Sequence, residues 1–267
     1  MRSRATGLNA TLLAGAIVAL AGCSASSDEP REVPDTDLPV TEVLSRPDGF
    51  TQGFEVLSDG QWLMGTGGYG ESQIQVVDAD GKVVESANLP DEEFGEGTTV
   101  IGDTAYQLTW QSGVVHTWTL PDFQPGPSQS IEGEGWGLCS DEGAGGLWLS
   151  DGTPTLSLVD AESFDTISQV QVSDANQPVF NLNELECIDG AVWANVWQTN
   201  DIVVIDPSTG DVTRTYDFSD LAADQDTSEP GHVLNGIAYD DSSDSLLITG
   251  KEWDAVYRLD YAELIEQ

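Results

Sequence analysis

Phe94-Gly95-Glu96-Gly97-Thr98-Thr99-Val100-Ile101-Gly102-Asp103-Thr104-Ala105-Tyr106-Gln107-Leu108-Thr109-Trp110 sets the pattern by which the rest of the chain can be read. A glycine-rich start leads into a short apolar stretch, a Gly-Asp turn, and a second apolar stretch that ends on a tryptophan. Four other segments repeat it, starting at Phe50-Thr51-Gln52-Gly53, Glu134-Gly135-Trp136-Gly137, Leu182-Asn183-Glu184-Leu185 and Leu234-Asn235-Gly236-Ile237. Measured at Gly53, Gly97, Gly137, Leu185 and Gly236, the steps are 44, 40, 48 and 51 residues. Further along, Asp78, Leu120, Asp160, Asp206 and Asp260 each close a third apolar stretch. Turns such as Asp80-Gly81 and Asp206-Pro207-Ser208-Thr209-Gly210 then lead into a fourth.

Four short antiparallel strands recurring at this period describe a propeller blade. A blade cannot cover both of its faces alone, so blades pack around an axis. The sequence predicts an all-β, five-bladed β-propeller over residues 40–267. The last repeat ends after its third strand, so the fourth is expected from Pro39-Val40-Thr41-Glu42-Val43-Leu44, which would close the ring and leave no open sheet edge. Ala222 to Gly231 reads as an acidic loop and Tyr261 to Gln267 as a short helical turn.

Ahead of the repeats, Arg2 and Arg4 precede an apolar run from Leu8 to Ala19 that ends in Leu20-Ala21-Gly22-Cys23. The pattern reads as a signal peptide over residues 1–22. Its end resembles the lipobox of bacterial lipoproteins, which implies a lipid on Cys23 and an extracytoplasmic protein held on the outer face of the membrane. Residues 23–39, rich in Ser, Asp, Glu and Pro, are expected to be a disordered linker.

The 267 residues carry 8 Lys+Arg against 47 Asp+Glu, a net charge of −39. So acidic a surface repels phosphate, which argues against nucleic acid as a partner. His116 and His232 have no metal-ligand spacing, and no nucleophile elbow or phosphate loop is present. Asp78-x-Asp80-Gly81 lacks the later ligands of a calcium loop and reads as a turn. No cofactor and a monomeric state are expected. Cys139 and Cys187 occupy matching places in adjacent blades, as a disulfide or as two buried thiols.

Unusual residues gather at two positions of the repeat that meet at one mouth of a propeller. Strand starts bear Gln52, Glu96, Trp136, Asn183, Glu184 and Asn235; second strands end near Tyr69, Trp110, Asp151, Trp197, Lys251 and Trp253. Together they predict a pocket of indoles and amides with one lysine and a few carboxyls. Trp62, Trp118, Trp148 and Trp193 lie within strands and read as core.

These segments, with Leu108-Thr109-Trp110-Gln111, Trp193-Ala194-Asn195-Val196-Trp197 and Thr249-Gly250-Lys251-Glu252-Trp253, resemble the motifs of the plant and bacterial type of glutaminyl-peptide cyclotransferase over roughly residues 40–260. The sequence departs at Gly67-Gly68-Tyr69-Gly70-Glu71, at Asp254 and at the two cysteines. The resemblance implies a five-bladed propeller that converts the N-terminal Gln of peptides to pyroglutamate and releases ammonia, with Glu96 moving the proton. An isolated Glu titrates near ~4.3, and burial among Trp110, Trp136 and Trp197 would raise it into a useful range. Gln52 and Asn183 would hold the carboxamide and the oxyanion. Lys251 would stabilise the oxyanion, orient Glu96, or serve as a counter-ion. Tyr69 and Trp253 join the expected substrate-binding set, and Asn235 and Glu184 stand either in that set or in the scaffold behind it. A slightly alkaline optimum is expected, because the attacking amine must be neutral. The alternatives are a non-catalytic module binding peptide N-termini, without need of Glu96, and a metal-dependent, lactonase-like propeller.

Overall fold

The computed structural model describes residues 31–120 and 122–267. The signal segment and Cys23 lie outside them, as does the first part of the linker.

The five repeats form five blades. Blade one runs Thr51–Val56, Trp62–Thr66, Gln73–Val77, Val83–Asn88 from axis to rim, and blade four runs Leu182–Ile188, Ala191–Val196, Asp201–Ile205, Val212–Asp217 in the same order. Blade three follows the same plan from Leu138–Asp141 to Thr166–Gln171. In blade two the outer strand is split into Gln124–Pro125 and Gln129–Ser130, both paired with Val114–Thr119. Blade five takes its fourth strand from Val40–Ser45, antiparallel to Ala255–Asp260, so the two ends of the chain close the ring as expected.

Apolar packing is divided among the gaps between blades. Five separate clusters of buried side chains fill the five interfaces, and each draws on both neighbouring blades. Trp62, Trp118, Trp148 and Trp193 belong to these clusters and are at most 5% exposed. Their large faces suit wedge-shaped gaps that smaller side chains would leave void.

Near the axis the inner strands approach until only backbone fits. A Cβ on Gly137 would sit 1.9 Å from the Asn183 carbonyl oxygen, and one on Gly53 would sit 2.2 Å from the Thr98 nitrogen. This crowding is the reason glycine recurs in the repeat. Cys139 and Cys187 form a disulfide across the gap between blades three and four, with Cα atoms 5.5 Å apart. Of the two readings left open by the sequence, the structure takes the bonded one.

Two expectations change in detail, and one feature is new. Residues 31–39 have no helix or strand, yet they lie against blade five rather than leaving the fold. The Arg31 guanidinium donates to the Asp254 carboxylate at 2.9 Å and to its backbone oxygen at 2.7 Å. The first two residues of the expected loop at 222–231 belong instead to a short helix, Ser219–Ala223, that docks through Leu221 and Ala222. A small hairpin, Ser173–Asp174 with Gln177–Pro178, was not anticipated; its turn residues Ala175 and Asn176 have φ of 46° and 65°, a conformation that Ala rarely signals. The tail helix Tyr261–Glu266 is capped by Asp260, which accepts the Glu263 N–H. No helix among the described residues is long and apolar enough to cross a membrane.

Candidate active site

Four inner strands share one irregularity. Register slips between Thr51 and Gly53, Gly95 and Thr98, Leu182 and Leu185, and Leu234 and Ile237. Such bulges re-aim side chains, and here they coincide with Gln52, Glu96, Asn183 and Asn235. Just before each bulge a backbone bond ties the strand start to the end of the second strand. Gly67 N–H donates to the Phe50 carbonyl, Trp110 to Phe94, Trp197 to Asn181 and Lys251 to Val233, at 2.8–2.9 Å. The two unusual positions of the repeat are therefore joined within each of these blades, which is why they converge.

They converge on a cavity of about 170 Å³ lined by Phe50, Gln52, Phe94, Glu96, Trp110, Trp136, Asn183, Trp197 and Lys251. This is smaller than the ~300–1,000 Å³ typical of drug-sized ligand sites, so it suits one residue end rather than a length of peptide. Aromatic rings form its wall. Phe94 meets Phe50 and Trp110 edge-on at 6.1 and 5.9 Å, and Trp136 meets Trp197 edge-on at 5.6 Å. The Lys251 ammonium lies 5.0 Å from the Phe50 ring centre and 5.8 Å from that of Trp197, within cation–π range of both.

Glu96 is 4% exposed. Burial pushes its carboxyl well above the ordinary range, Lys251 pulls it back, and Glu134 adds to the rise. Burial pushes the Lys251 ammonium down to about 8, with Glu96 opposing. Burial thus disfavours the charged form of both groups, and each opposes that effect in the other.

The loop that carries Phe50 is fixed from below. Arg46, itself buried, donates to the carbonyls of Gly49 and Gly250 at 2.7 Å each and to Pro47 at 2.9 Å. Its guanidinium spans the starts of blade one and the strand end bearing Lys251. Directly after Trp197 and Lys251 the chain turns through left-handed residues, Gln198 (φ 70°) and Glu252 (φ 57°). Conformations of this kind cost about 1–2 kcal/mol each for non-glycine residues and tend to occur at functional sites.

Of the residues singled out in the sequence, Gln52, Glu96, Asn183, Lys251, Trp110, Trp136 and Trp197 share the cavity. Asn235 stands behind it and donates its amide to the Thr51 carbonyl (3.1 Å) and to Gln52 Oε1 (3.4 Å). Tyr69 lies on the rim, 56% exposed, with its ring against Phe94. Glu184 is not in the wall. Its two oxygens accept the Phe54 and Ile237 N–H groups at 3.2 and 2.8 Å, so it satisfies backbone donors freed by the bulges of blades one and five. Trp253 is 1% exposed and belongs to the core between blades four and five. Asp151 closes a turn by accepting from Thr153.

The sequence reading passed over three residues. Phe50 and Phe94 line the cavity, although at a strand start an aromatic reads as core. Glu134 bonds both Trp110 and Trp136. Among the described residues no group of three or more His, Cys, Asp or Glu side chains is arranged to hold a metal ion.

Comparison with known proteins agrees with this geometry. A family model described as glutamine cyclotransferase matches residues 13–261. The glutaminyl-peptide cyclotransferase of Arabidopsis thaliana is 35% identical over 226 residues, covering 82% of this chain and 69% of the relative. The crystal structure of Myxococcus xanthus glutaminyl cyclase superposes with a TM-score of 0.77 at 32% identity, covering 82% of this chain and 94% of that one.

Proposed function

The chain belongs to the glutamine cyclotransferase family, and from that premise we propose how its own residues carry out the reaction. The activity is the conversion of an N-terminal glutamine of a peptide or protein into pyroglutamate, with release of ammonia. The single observation that carries the residue assignment is the buried Glu96 carboxyl, facing Lys251 inside a residue-sized aromatic cavity.

The substrate's α-amine attacks the carbon of its own side-chain carboxamide. A C–N bond forms, and the carbonyl electrons move onto oxygen. Glu96 accepts the proton that the attacking nitrogen must lose. It then donates that proton to the carboxamide nitrogen as the second C–N bond breaks, so ammonia leaves and the carbonyl re-forms. One carboxyl can serve both steps because burial disfavours its anion and so raises its hold on the proton it must take up and return. Lys251 stabilises the oxyanion, a role that needs its proton.

Gln52 is turned by Asn235, which occupies its Oε1, and so keeps its Nε2 donors for a substrate oxygen. Asn183 Oδ1 is buried, has no hydrogen-bond partner among the described residues, and supplies an acceptor for a substrate N–H. The indoles pack on the folded side chain and exclude water. The Tyr69 ring at the rim is available to the residue that follows glutamine. Incubation of the purified protein with a Gln-initiated peptide is expected to release one ammonia per pyroglutamate formed. An intact Gln terminus after prolonged incubation would reject the assignment.

We further propose that the protein works outside the cytoplasm on a lipid attached to Cys23. The lipobox-like Leu20-Ala21-Gly22-Cys23 supports this, as does the Cys139–Cys187 disulfide, a bond that persists in oxidising compartments. Replacing Cys23 with Ala is expected to move the protein from the membrane fraction of expressing bacteria to the soluble fraction. Retention in the membrane would overturn the anchor.

A further inference from the structure

Glu134 touches the aromatic wall through the indole N–H groups of two of its tryptophans. Its Oε2 accepts the indole N–H of Trp110 at 2.8 Å and that of Trp136 at 2.9 Å. Its Oε1 accepts from Gln111 Nε2 at 2.9 Å. The two tryptophans come from different blades, Trp110 from the end of a second strand and Trp136 from the start of the next repeat, and among the described residues no other group joins their N–H donors. With both N–H groups taken, these indoles offer the substrate their faces only.

We propose that Glu134 is a positioning residue for the cyclisation: it locks Trp110 and Trp136 into one wall, and its charge at the rim receives the substrate's ammonium group. The proposal rests on the cyclase reading above. Partial burial pushes the Glu134 carboxyl up, but the bonds from Gln111, Trp136 and Trp110 outweigh it and hold the group below the ordinary carboxylate range. It is therefore an anion wherever the enzyme works. It is also close enough to Glu96 to act on that carboxyl through space. A free α-amine is largely protonated below its reference value of ~7.7–8.0, so the substrate arrives as a cation. Glu96 is buried behind the rings, whereas Glu134 is half-exposed beside two of them, placed to meet the ammonium ahead of Glu96. Charge of this kind at a half-exposed rim governs capture more than turnover.

Two substitutions separate the two roles. Glu134→Gln keeps an oxygen for the indoles and removes the charge; Glu134→Ala removes both. In the full-length protein with ¹⁵N-labelled tryptophan, the Nε1–H signals of Trp110 and Trp136 are expected to stay close to their wild-type positions in Glu134→Gln and to move together in Glu134→Ala. With a Gln-initiated peptide below pH 7, KM is expected to rise about fivefold in Glu134→Gln, the scale of one exposed charge pair, while kcat falls less than threefold. The variant-to-wild-type ratio of KM is expected to return toward one above pH 9, where the amine is neutral; Glu96 and Lys251, which face the same pocket, titrate in both proteins. Unmoved indole signals in Glu134→Ala would overturn the clamp. A KM ratio of one at every pH would overturn the capture role. No ammonia from the wild type would overturn the cyclase reading itself, and the indole signals would still decide the clamp.

Discussion

Glu96→Gln is expected to lower kcat by about 10²–10⁴-fold, the usual contribution of a positioned acid–base group, with KM changed far less. The amide is nearly the same size and stays polar, so the wall of Phe94, Trp110 and Trp136 keeps its shape. What is lost is the ability to accept and return a proton. Stability is expected to move the other way. Burial raises the folded-state value of this carboxyl above that of the unfolded chain. Its contribution is thus fully present below the unfolded value near ~4.3 and is lost as pH rises through the folded value. Above that point the native protein holds a desolvated anion, and replacing it with a neutral amide removes the penalty. At mildly alkaline pH the variant should therefore melt no lower than wild type, and higher if Lys251 does not fully compensate. Steady-state ammonia release and thermal melts on the same preparation check both halves. Undiminished kcat would remove Glu96 from the chemistry. A fall in kcat accompanied by a lower melting temperature would point to a damaged fold instead.

Much of this was legible because the fold repeats. Once Phe94-Gly95-Glu96-Gly97 was matched to its four counterparts, one bulged strand stood for the others, and Gln52, Glu96 and Asn183 were placed at the same mouth by position alone. The closing strand was legible because the last repeat lacked one. What failed did so within a residue or two of what succeeded. Glu184 follows Asn183 inside the bulge between Leu182 and Leu185, where the regular alternation of a strand is broken and sequence position does not say which side chain faces the axis. One amide reaches the cavity while its neighbour turns to the backbone of other blades. Trp253 follows Lys251 by two, but the left-handed Glu252 between them turns the chain back into the gap between blades. Phe50 and Phe94 were missed because an aromatic at a strand start has a simpler explanation. Glu134 was missed because its role depends on two indole N–H groups from different blades meeting at one oxygen, and no spacing in the sequence encodes that meeting.

Lys251→Met is expected to lower kcat by about 10²–10³-fold, comparable to removing one oxyanion donor elsewhere, and to change the shape of the pH profile. Burial brings this ammonium down to about 8, and Glu96 keeps it from falling further. A lysine in that state is charged below pH 8 and neutral above it. The substrate amine imposes the opposite demand, since it must lose its proton to attack, and the acidic surface of the protein holds that proton on. Wild-type activity is therefore expected to climb toward pH 8 as the amine becomes neutral and to decline beyond it as Lys251 discharges. The slightly alkaline optimum expected from the amine alone thus acquires an upper bound. In Lys251→Met the decline disappears and the residual rate continues to rise or levels off. Lys251→Arg holds its proton more tightly than lysine, so any activity it retains should decline only at higher pH. Profiles of kcat from pH 6 to 10 for the three proteins decide the matter. If Lys251→Met kept full activity and the same decline above pH 8, the ammonium would be a counter-ion packed between Phe50 and Trp197, and the oxyanion would fall to Gln52 alone.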